Sequence, residues 1–244
     1  MTGPSDGLRD AYERRAEDAY SSPAELPDRW RDRKFARIWE QVYARLPCGA
    51  FLDAGCGDGT YLRAIARSDR IPGRVAGLDI SERILATAAA AAAPLEVELV
   101  RGNIEALPFA HGSFDLVLCS QAIEHLLDPA LGARELARVL APGGTLILTT
   151  DNDRNLVTRA FYLGRFRGDY VEFPHRRFRW EEVEQLVRDA GLEIEEWTTF
   201  RFALPAPFHY SRAARLVNRI EAALPPHKVG DIISVVARKP APPP

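Results

Sequence analysis

The chain has 244 residues, 46% of them hydrophobic, and a formal net charge of −2 at pH 7. This length is enough for one substantial core, and the near-neutral charge disfavours nucleic acid as a partner, because nucleic-acid-binding domains usually have a strongly basic face. No stretch approaches the roughly 18 to 20 apolar residues of a membrane span, and the polar start lacks a secretory signal, so we expect a cytoplasmic protein.

Charged, helix-favouring sequence fills the first 46 residues. Helices are predicted over 8–20 and 28–46, separated by two proline-containing breaks. We expect residues 1–46 to form a helical lid over the ligand-binding end of the domain that follows.

Three alternating glycines follow a short apolar run in Phe51-Leu-Asp-Ala-Gly-Cys-Gly-Asp-Gly-Thr-Tyr-Leu62. The pattern predicts a strand, a tight turn and a helix, in which the glycines let the backbone press against a ligand. A dinucleotide-binding fingerprint would have a third glycine at the position of Thr60. A plain structural turn is the alternative interpretation. Asp79 supports the ligand-binding one, because this acid ends the next predicted strand, where it is suited to bind two ribose hydroxyls.

Strand and helix patterns then alternate along the chain. They fall at 50–53, 61–66, 74–79, 82–93, 95–101, 114–119, 131–140 and 145–150. This order predicts an α/β fold with a parallel sheet built from right-handed βαβ units. Ser81 is expected to cap the helix at 82–93, and Pro142-Gly-Gly144 to form the turn into the fifth strand.

The regular alternation ends after Thr150. A helix is predicted at 181–190, and strands at 192–202 and 231–238 are predicted to form the antiparallel edge of the sheet. The segments 151–180 and 203–228 are too long for ordinary connections, so we expect them to be substrate-side inserts of a domain spanning 47–239. The tail 240–244 is expected to be disordered.

The glycine turn and three later motifs resemble the class I S-adenosylmethionine-dependent methyltransferases, in particular the ubiquinone and menaquinone branch. The later motifs are 100–109 (VRGNIEALPF), 113–126 (SFDLVLCSQAIEHL) and 138–148 (RVLAPGGTLIL), in that family's order and spacing. The resemblance implies a Rossmann-like sheet of seven mostly parallel strands, with an antiparallel edge strand, helices on both faces, the lid, and inserts after strands 5 and 6.

The resemblance also implies S-adenosylmethionine as cofactor and a site for it. Asp53, Ala54, Gly55 and Gly57 would surround the methionine part, and Asp79 and Ile80 the ribose. Asn103 and Ile104 would lie beside the adenine. Ser120 and Gln121 would complete the wall, and Tyr20, with Tyr12, would cover the cofactor unless these tyrosines pack within the lid.

Two histidines are candidate bases for removing a proton from the acceptor. His125 follows the fourth strand on the expected methyl side, and packing beside the cofactor or capping a helix is the alternative role. His175 is the weaker candidate, because a structural hydrogen bond explains it slightly better and Arg179 replaces the usual Ser or Thr cap of the next helix. Glu124 is expected to face solvent or to support the site from behind.

The inserts are aromatic and carry net charges of +3 over 151–180 and +4 over 201–228. Arginine binds carboxylate and phosphate well, so the predicted acceptor is a small-molecule or lipid-like metabolite, partly apolar and either neutral or anionic. A solvated basic face is the alternative. The predicted helix at 211–224 is amphipathic, which suits either lid packing or weak contact with a membrane surface.

Three functional hypotheses follow. The first is methyl transfer to an O, N or C atom of such a metabolite. The second is a nicotinamide oxidoreductase, which Thr60 disfavours, and the third is a cofactor-binding homologue without turnover. No metal site is expected, because Cys48, Cys56 and Cys119 lack metal-ligand spacing.

Overall fold

The computed structural model describes residues 29–153, 176–200, 228 and 230–241. Tyr20, His175, the predicted helices at 8–20 and 211–224 and most of both inserts lie outside these residues. The described part of the chain forms one seven-stranded sheet. Its strands are β1 (Ala50–Ala54), β2 (Arg74–Asp79), β3 (Glu98–Arg101), β4 (Phe114–Ser120), β5 (Leu140–Asp151), β6 (Glu193–Phe200) and β7 (Ile232–Arg238).

The strand order is β3-β2-β1-β4-β5-β7-β6, and every pairing from β3 to β5 is parallel. β7 is antiparallel to both β5 and β6. The predicted Rossmann-like, mostly parallel sheet with antiparallel pairing at one edge is therefore confirmed. Since the chain runs outward from β1 through β2 and β3 and returns on the other side at β4, the switch point lies between β1 and β4. Ligands bind at such points, outside the carboxyl ends of the strands.

Five described α-helices connect the strands. They are α1 (Arg29–Tyr43), α2 (Thr60–Ala66), α3 (Glu82–Ala92), α4 (Pro129–Val139) and α5 (Trp180–Asp189). One core cluster contains buried residues of α1, α2 and α3, and the other contains those of α4 and α5, so the helices cover both faces of the sheet. Ile38 and Val42 on α1 have no exposed surface and pack in the same cluster as Phe51, which makes α1 part of the domain core.

Strand β4 shows why the sheet is stable in the middle. Leu116 and Leu118 are buried in one cluster, whereas Val117 and Cys119 are buried in the other. A parallel strand covered on both faces has a continuous apolar sequence, which is what this segment contains.

Helix ends follow the sequence closely. Ser81 accepts a hydrogen bond from the backbone N–H of Ile84 (3.3 Å) and caps α3 as predicted. At α5, where the absence of a Ser or Thr cap was expected to weaken the first turn, the Glu182 carboxylate accepts the backbone N–H of Arg179 (2.8 Å). The carboxylate three positions into the helix thus satisfies a donor that the first turn leaves unpaired.

The segment Pro142–Gly144 differs from the prediction. β5 already begins at Leu140, and its register with β4 shifts between the Phe114–Leu140 pair and the Leu116–Thr145 pair. The predicted turn is therefore an irregularity within β5, and Gly143 accommodates it with a φ of +77°.

Candidate active site

A cavity of about 420 Å³ lies at the switch point of the sheet. Its walls come from the turn after β1, the end of β2, and the segments after β3 and β4. Nine of the residues predicted from the sequence line it: Gly55, Gly57, Asp79, Ile80, Asn103, Ile104, Ser120, Gln121 and His125. The volume is in the range of roughly 300–1,000 Å³ of small-molecule and cofactor pockets.

The glycine turn is a close backbone junction. Gly55 has a φ of +82°, and a Cβ placed on it would lie 2.6 Å from the Cβ of Ala122. The backbone N–H groups of Gly55 and Cys56 both donate to the carbonyl of Leu78, at 2.7 and 2.9 Å. These contacts hold the end of β1 against β2 and leave no room for a side chain at position 55.

Asp79 is held in a fixed orientation by two backbone donors. One carboxylate oxygen accepts the N–H of Gly57 (3.0 Å), and the other accepts the N–H of Ser81 (3.0 Å). The side chain is only partly buried and lines the cavity. The carboxylate is therefore positioned on the cavity wall independently of any ligand.

Asp53 and Ala54 are buried and do not line the cavity. Burial, together with the negative charges of Asp79 and Asp58, raises the pKa of Asp53 to about 8. One of its carboxylate oxygens is buried without a hydrogen-bond partner among the described residues. A cation near this buried carboxyl group would lower its pKa and favour the ionised form.

Asn103 and Ile104 begin the short 3-10 helix Ile104–Ala106 after β3. The Asn103 amide is already engaged, because its oxygen accepts the N–H of Glu105 (3.0 Å) and its nitrogen donates to the Glu105 carboxylate (2.9 Å). Ile104 is 95% buried and adds an apolar surface to the wall. This part of the cavity is suited to a flat, apolar ring.

The wall after β4 is polar. Ser120 bonds the Tyr61 hydroxyl and the Thr149 hydroxyl, the latter at 3.1 Å. Gln121 has a φ of +55°, and His125 ends the 3-10 helix Ile123–His125, with its side chain on the cavity. The segment therefore presents a hydroxyl, a carboxamide and an imidazole.

Sequence reasoning missed other residues that line the cavity, among them Lys34, Phe35 and Tyr61. The rings of Phe35 and Tyr61 stack with centroids 5.4 Å apart, and Phe35 also stacks on Trp39. The helical spacing of Phe35, Trp39 and Tyr43 could have indicated an aromatic face on α1. No sequence signal indicated that Lys34 is on the cavity wall.

Glu124 is 1% exposed, so the expectation that it faces solvent is wrong. The Thr150 hydroxyl donates to its carboxylate (3.1 Å), and the Arg176 backbone N–H donates to its carbonyl (2.9 Å). Burial and the charge of Asp151 raise the pKa of Glu124 to about 8, against a smaller opposing effect of Lys34. The 3-10 helix turns this residue into the protein while the next residue, His125, faces the cavity.

The described residues contain no helix that is long and apolar enough to cross a membrane.

Comparisons with known proteins identify relatives among methyltransferases. A family model described as a methyltransferase domain matches residues 52–148. A ubiquinone biosynthesis O-methyltransferase from Thiobacillus denitrificans is 34% identical over 175 residues, which cover 66% of this chain and 71% of that protein. A demethylmenaquinone methyltransferase from Bacillus cytotoxicus is 29% identical over 195 residues, covering 70% and 82%.

A solved S-adenosylmethionine-dependent methyltransferase from Thermotoga maritima has a similar fold. It aligns with a TM-score of 0.66 and 22% identity, over 95% of this chain and 99% of that chain. At this identity the likeness supports the fold.

The residues present fit S-adenosylmethionine. The turn at Gly55 brings bare backbone to the cavity, Asp79 supplies a fixed carboxylate, and Ile104 supplies an apolar wall. One buried oxygen of Asp53, which has no hydrogen-bond partner in the described part of the chain, suits a cationic ligand nearby.

The glycine turn yields a first prediction. Gly55→Ala should abolish measurable binding of S-adenosylhomocysteine, because the new methyl group would overlap Ala122. The control is Gly191→Ala, where φ is +80° but a Cβ would meet nothing within 4 Å. This control should lower the free energy of unfolding by about 1 kcal/mol and leave binding intact. Calorimetric titration and chemical denaturation of both variants test the prediction, and equal binding by the two would contradict it.

The burial of Glu124 yields a second prediction, on stability and pH. The pKa of Glu124 is higher in the folded protein than in the unfolded chain, so between these two pKa values the folded protein keeps a proton that the unfolded chain releases. The contribution of Glu124 to the free energy of unfolding is therefore largest near pH 4.5 and is lost as the pH rises to about 8. Glu124→Gln removes this dependence and should therefore become more stable relative to wild type as the pH rises, by at most about 1.4 kcal/mol per pH unit.

Urea denaturation of wild type and Glu124→Gln between pH 5 and 8.5 measures this difference. Glu193→Gln, the same change at an exposed position of β6, is the control for the substitution itself. Parallel stability curves for wild type and Glu124→Gln would show that the Glu124 carboxyl does not titrate as inferred.

Proposed function

The chain belongs to the class I S-adenosylmethionine-dependent methyltransferases, in the branch of the ubiquinone and menaquinone enzymes, and we propose that it methylates a hydroxylated aromatic metabolite. The acceptor is small and partly apolar, and the methyl group goes to an oxygen or a ring carbon. One observation carries the proposal: a single cavity at the switch point has cofactor-type groups on its β1 and β2 side and a candidate base on its β4 side.

The cofactor side is assigned as follows. Asp79 binds the ribose hydroxyls, since its carboxylate is fixed on the wall by Gly57 and Ser81. The backbone of Gly55 and Gly57 lies against the methionine part. The adenine packs on Ile104, while Asn103 shapes this wall through its bonds to Glu105.

The acceptor side is formed by α1, the first turn of α2 and the segment after β4. Phe35 and Tyr61 supply stacked aromatic surface on the cavity, and Lys34 supplies a cation. An aromatic ring with an acidic hydroxyl matches this combination of apolar wall and positive charge. The names of the two quinone-pathway relatives support the same class of acceptor.

The bound cofactor supplies a methyl group that is already activated on a sulfonium. What remains for the protein is to hold the acceptor atom in line with that methyl group, exclude water and remove a proton. We assign His125 as the base that accepts this proton, and its position on the cavity wall just beyond β4 supports the assignment. Lys34 would favour the ionised acceptor.

The functional assignment predicts specific binding and transfer. Wild type should bind S-adenosylmethionine at micromolar concentration and transfer labelled methyl to a phenolic compound in an extract of the host cell, identified by mass spectrometry. Asp79→Asn should weaken cofactor binding about 10-fold or more. The asparagine amide has one oxygen acceptor in place of two, and its NH₂ group would face the backbone N–H of Gly57 or Ser81, which is also a donor.

Asp128→Asn is the matched control for this change. Asp128 caps α4 by accepting the N–H of Leu131 (2.9 Å), outside the cavity, and asparagine is an equally good cap. This variant should bind the cofactor like wild type. Wild type that bound neither S-adenosylmethionine nor S-adenosylhomocysteine, or that bound a nicotinamide nucleotide instead, would overturn the assignment.

The proposed base yields a separate prediction. His125→Gln should lower kcat about 10²- to 10⁴-fold for a hydroxyl acceptor and leave the Kd of S-adenosylhomocysteine within about twofold. The pH–rate profile should lose its rise on the acidic side. A variant with unchanged kcat and profile would show that His125 only packs in the wall.

A further inference from the structure

The segment that carries His125 is anchored on both sides of the histidine. Before it, the backbone N–H of Gln121 donates to the carbonyl of Thr149 on β5 at 2.9 Å. After it, the backbone N–H of Asp128 donates to the carboxylate of Glu105. The first anchor is a contact between backbone groups, whereas the second is a side chain from the segment that follows β3.

Glu105 also belongs to the wall assigned to the adenine. Its carboxylate accepts a hydrogen bond from the side-chain amide of Asn103 (2.9 Å), and its own backbone N–H donates to the amide oxygen of Asn103 (3.0 Å). The two carboxylate oxygens have different partners, since one bonds Asn103 and the other bonds Asp128. A single side chain therefore connects the adenine wall to the segment that carries His125.

The same two walls also meet through packing on α4. Gly132 is buried in the first turns of this helix, and a Cβ on it would overlap the side chain of Leu126 and lie 3.6 Å from a methyl carbon of Ile104. Ile104 and Leu126 both line the cavity, and Leu126 directly follows His125. The absence of a side chain at position 132 thus lets α4 pack closely on both walls.

We propose that Glu105 is a positioning residue that holds the segment carrying His125 in place against the adenine wall, so that the base is aligned with the bound cofactor. Hydrogen bonds to a carboxylate are stronger than those between neutral groups, which suits this side chain to fix a short segment. Alignment matters because a displacement of about 1 Å can cost about 100-fold in rate. The inference rests on the proposed function and adds a residue that acts through His125.

The test combines Glu105→Gln with His125→Gln in the full-length protein. Glutamine has a similar size but only one oxygen, so it cannot accept from both Asn103 and Asp128. At saturating S-adenosylmethionine, Glu105→Gln should lower the initial rate of labelled methyl transfer into a host-cell extract about 10- to 100-fold. In the His125→Gln background the same change should lower the rate less than about twofold, because a missing base cannot be misplaced.

Two further variants and two measurements make the test specific. Glu98→Gln makes the same change at the start of β3, where Glu98 bonds Arg74 (2.6 Å) outside the cavity, and it should match wild type in rate. Glu105→Asp keeps the charge but has a shorter reach, so it should lower the rate as Glu105→Gln does and can replace that variant in the cycle. Calorimetric titration with S-adenosylhomocysteine confirms saturation, and thermal denaturation confirms that each variant is folded.

The outcomes separate this inference from the function on which it rests. If Glu105→Gln transfers methyl at the wild-type rate, or lowers the rate by the same factor with and without His125, the positioning role is overturned while methyl transfer stands. If His125→Gln leaves the rate unchanged, the inference fails together with the assignment of the base. If wild type transfers no label to the extract, the proposed function fails and the inference fails with it.

Discussion

The hydrogen bond from the Gly57 N–H to the Asp79 carboxylate, 3.0 Å long, is the constraint on which the rest of the site depends. It joins the turn after β1 to the end of β2, two elements that the chain separates by a full βαβ unit. Together with the bonds from Gly55 and Cys56 to the Leu78 carbonyl, it sets the shape of the turn before any ligand enters. The Asp79 carboxylate is thus fixed by the backbone of the glycine turn, which forms another part of the cavity wall. A site that is already ordered in this way loses less entropy when a ligand binds.

Two buried acids lie under this preformed surface, one on each side of the boundary between β1 and β4. Asp53 has one carboxylate oxygen without a hydrogen-bond partner among the residues that the structure describes, and Glu124 is buried after β4, where its carboxylate accepts a hydrogen bond from the Thr150 hydroxyl. Burial raises the pKa of both to about 8. Acids in such surroundings ionise when positive charge approaches. A cationic cofactor near the glycine turn would provide such charge to Asp53, whereas the charge of Lys34 already lowers the pKa of Glu124 in part.

The parts of the fold that the sequence predicted well are those determined by local chemistry. The glycine turn, the Ser81 cap and the apolar run of β4 each need particular residues at fixed spacing, and all appear where expected. The irregularity in β5 at 141–144 was predicted as a turn. Proline and glycine indicate a break in regular structure, but they do not show whether the strand continues on both sides of it. Of the nine predicted cavity residues, eight come from the family resemblance and His125 from its place after the fourth strand. All nine lie at or after strand ends, which a parallel sheet brings to one edge.

The positions of the residues that sequence reasoning missed or misplaced depend on how helices are rotated and packed against the sheet. Lys34 reaches the cavity because of how α1 docks on the sheet, which no local pattern specifies. Glu124 was expected either to face solvent or to support the site, and a 3-10 helix of three residues turns it inward, which excludes the first alternative. These differences fall on α1 and on the segment after β4, which we assign to the acceptor side. In this assignment the cofactor lies against backbone geometry at β1 and β2, whose sequence signature is local, whereas the acceptor meets side chains that separate elements bring together in the folded protein.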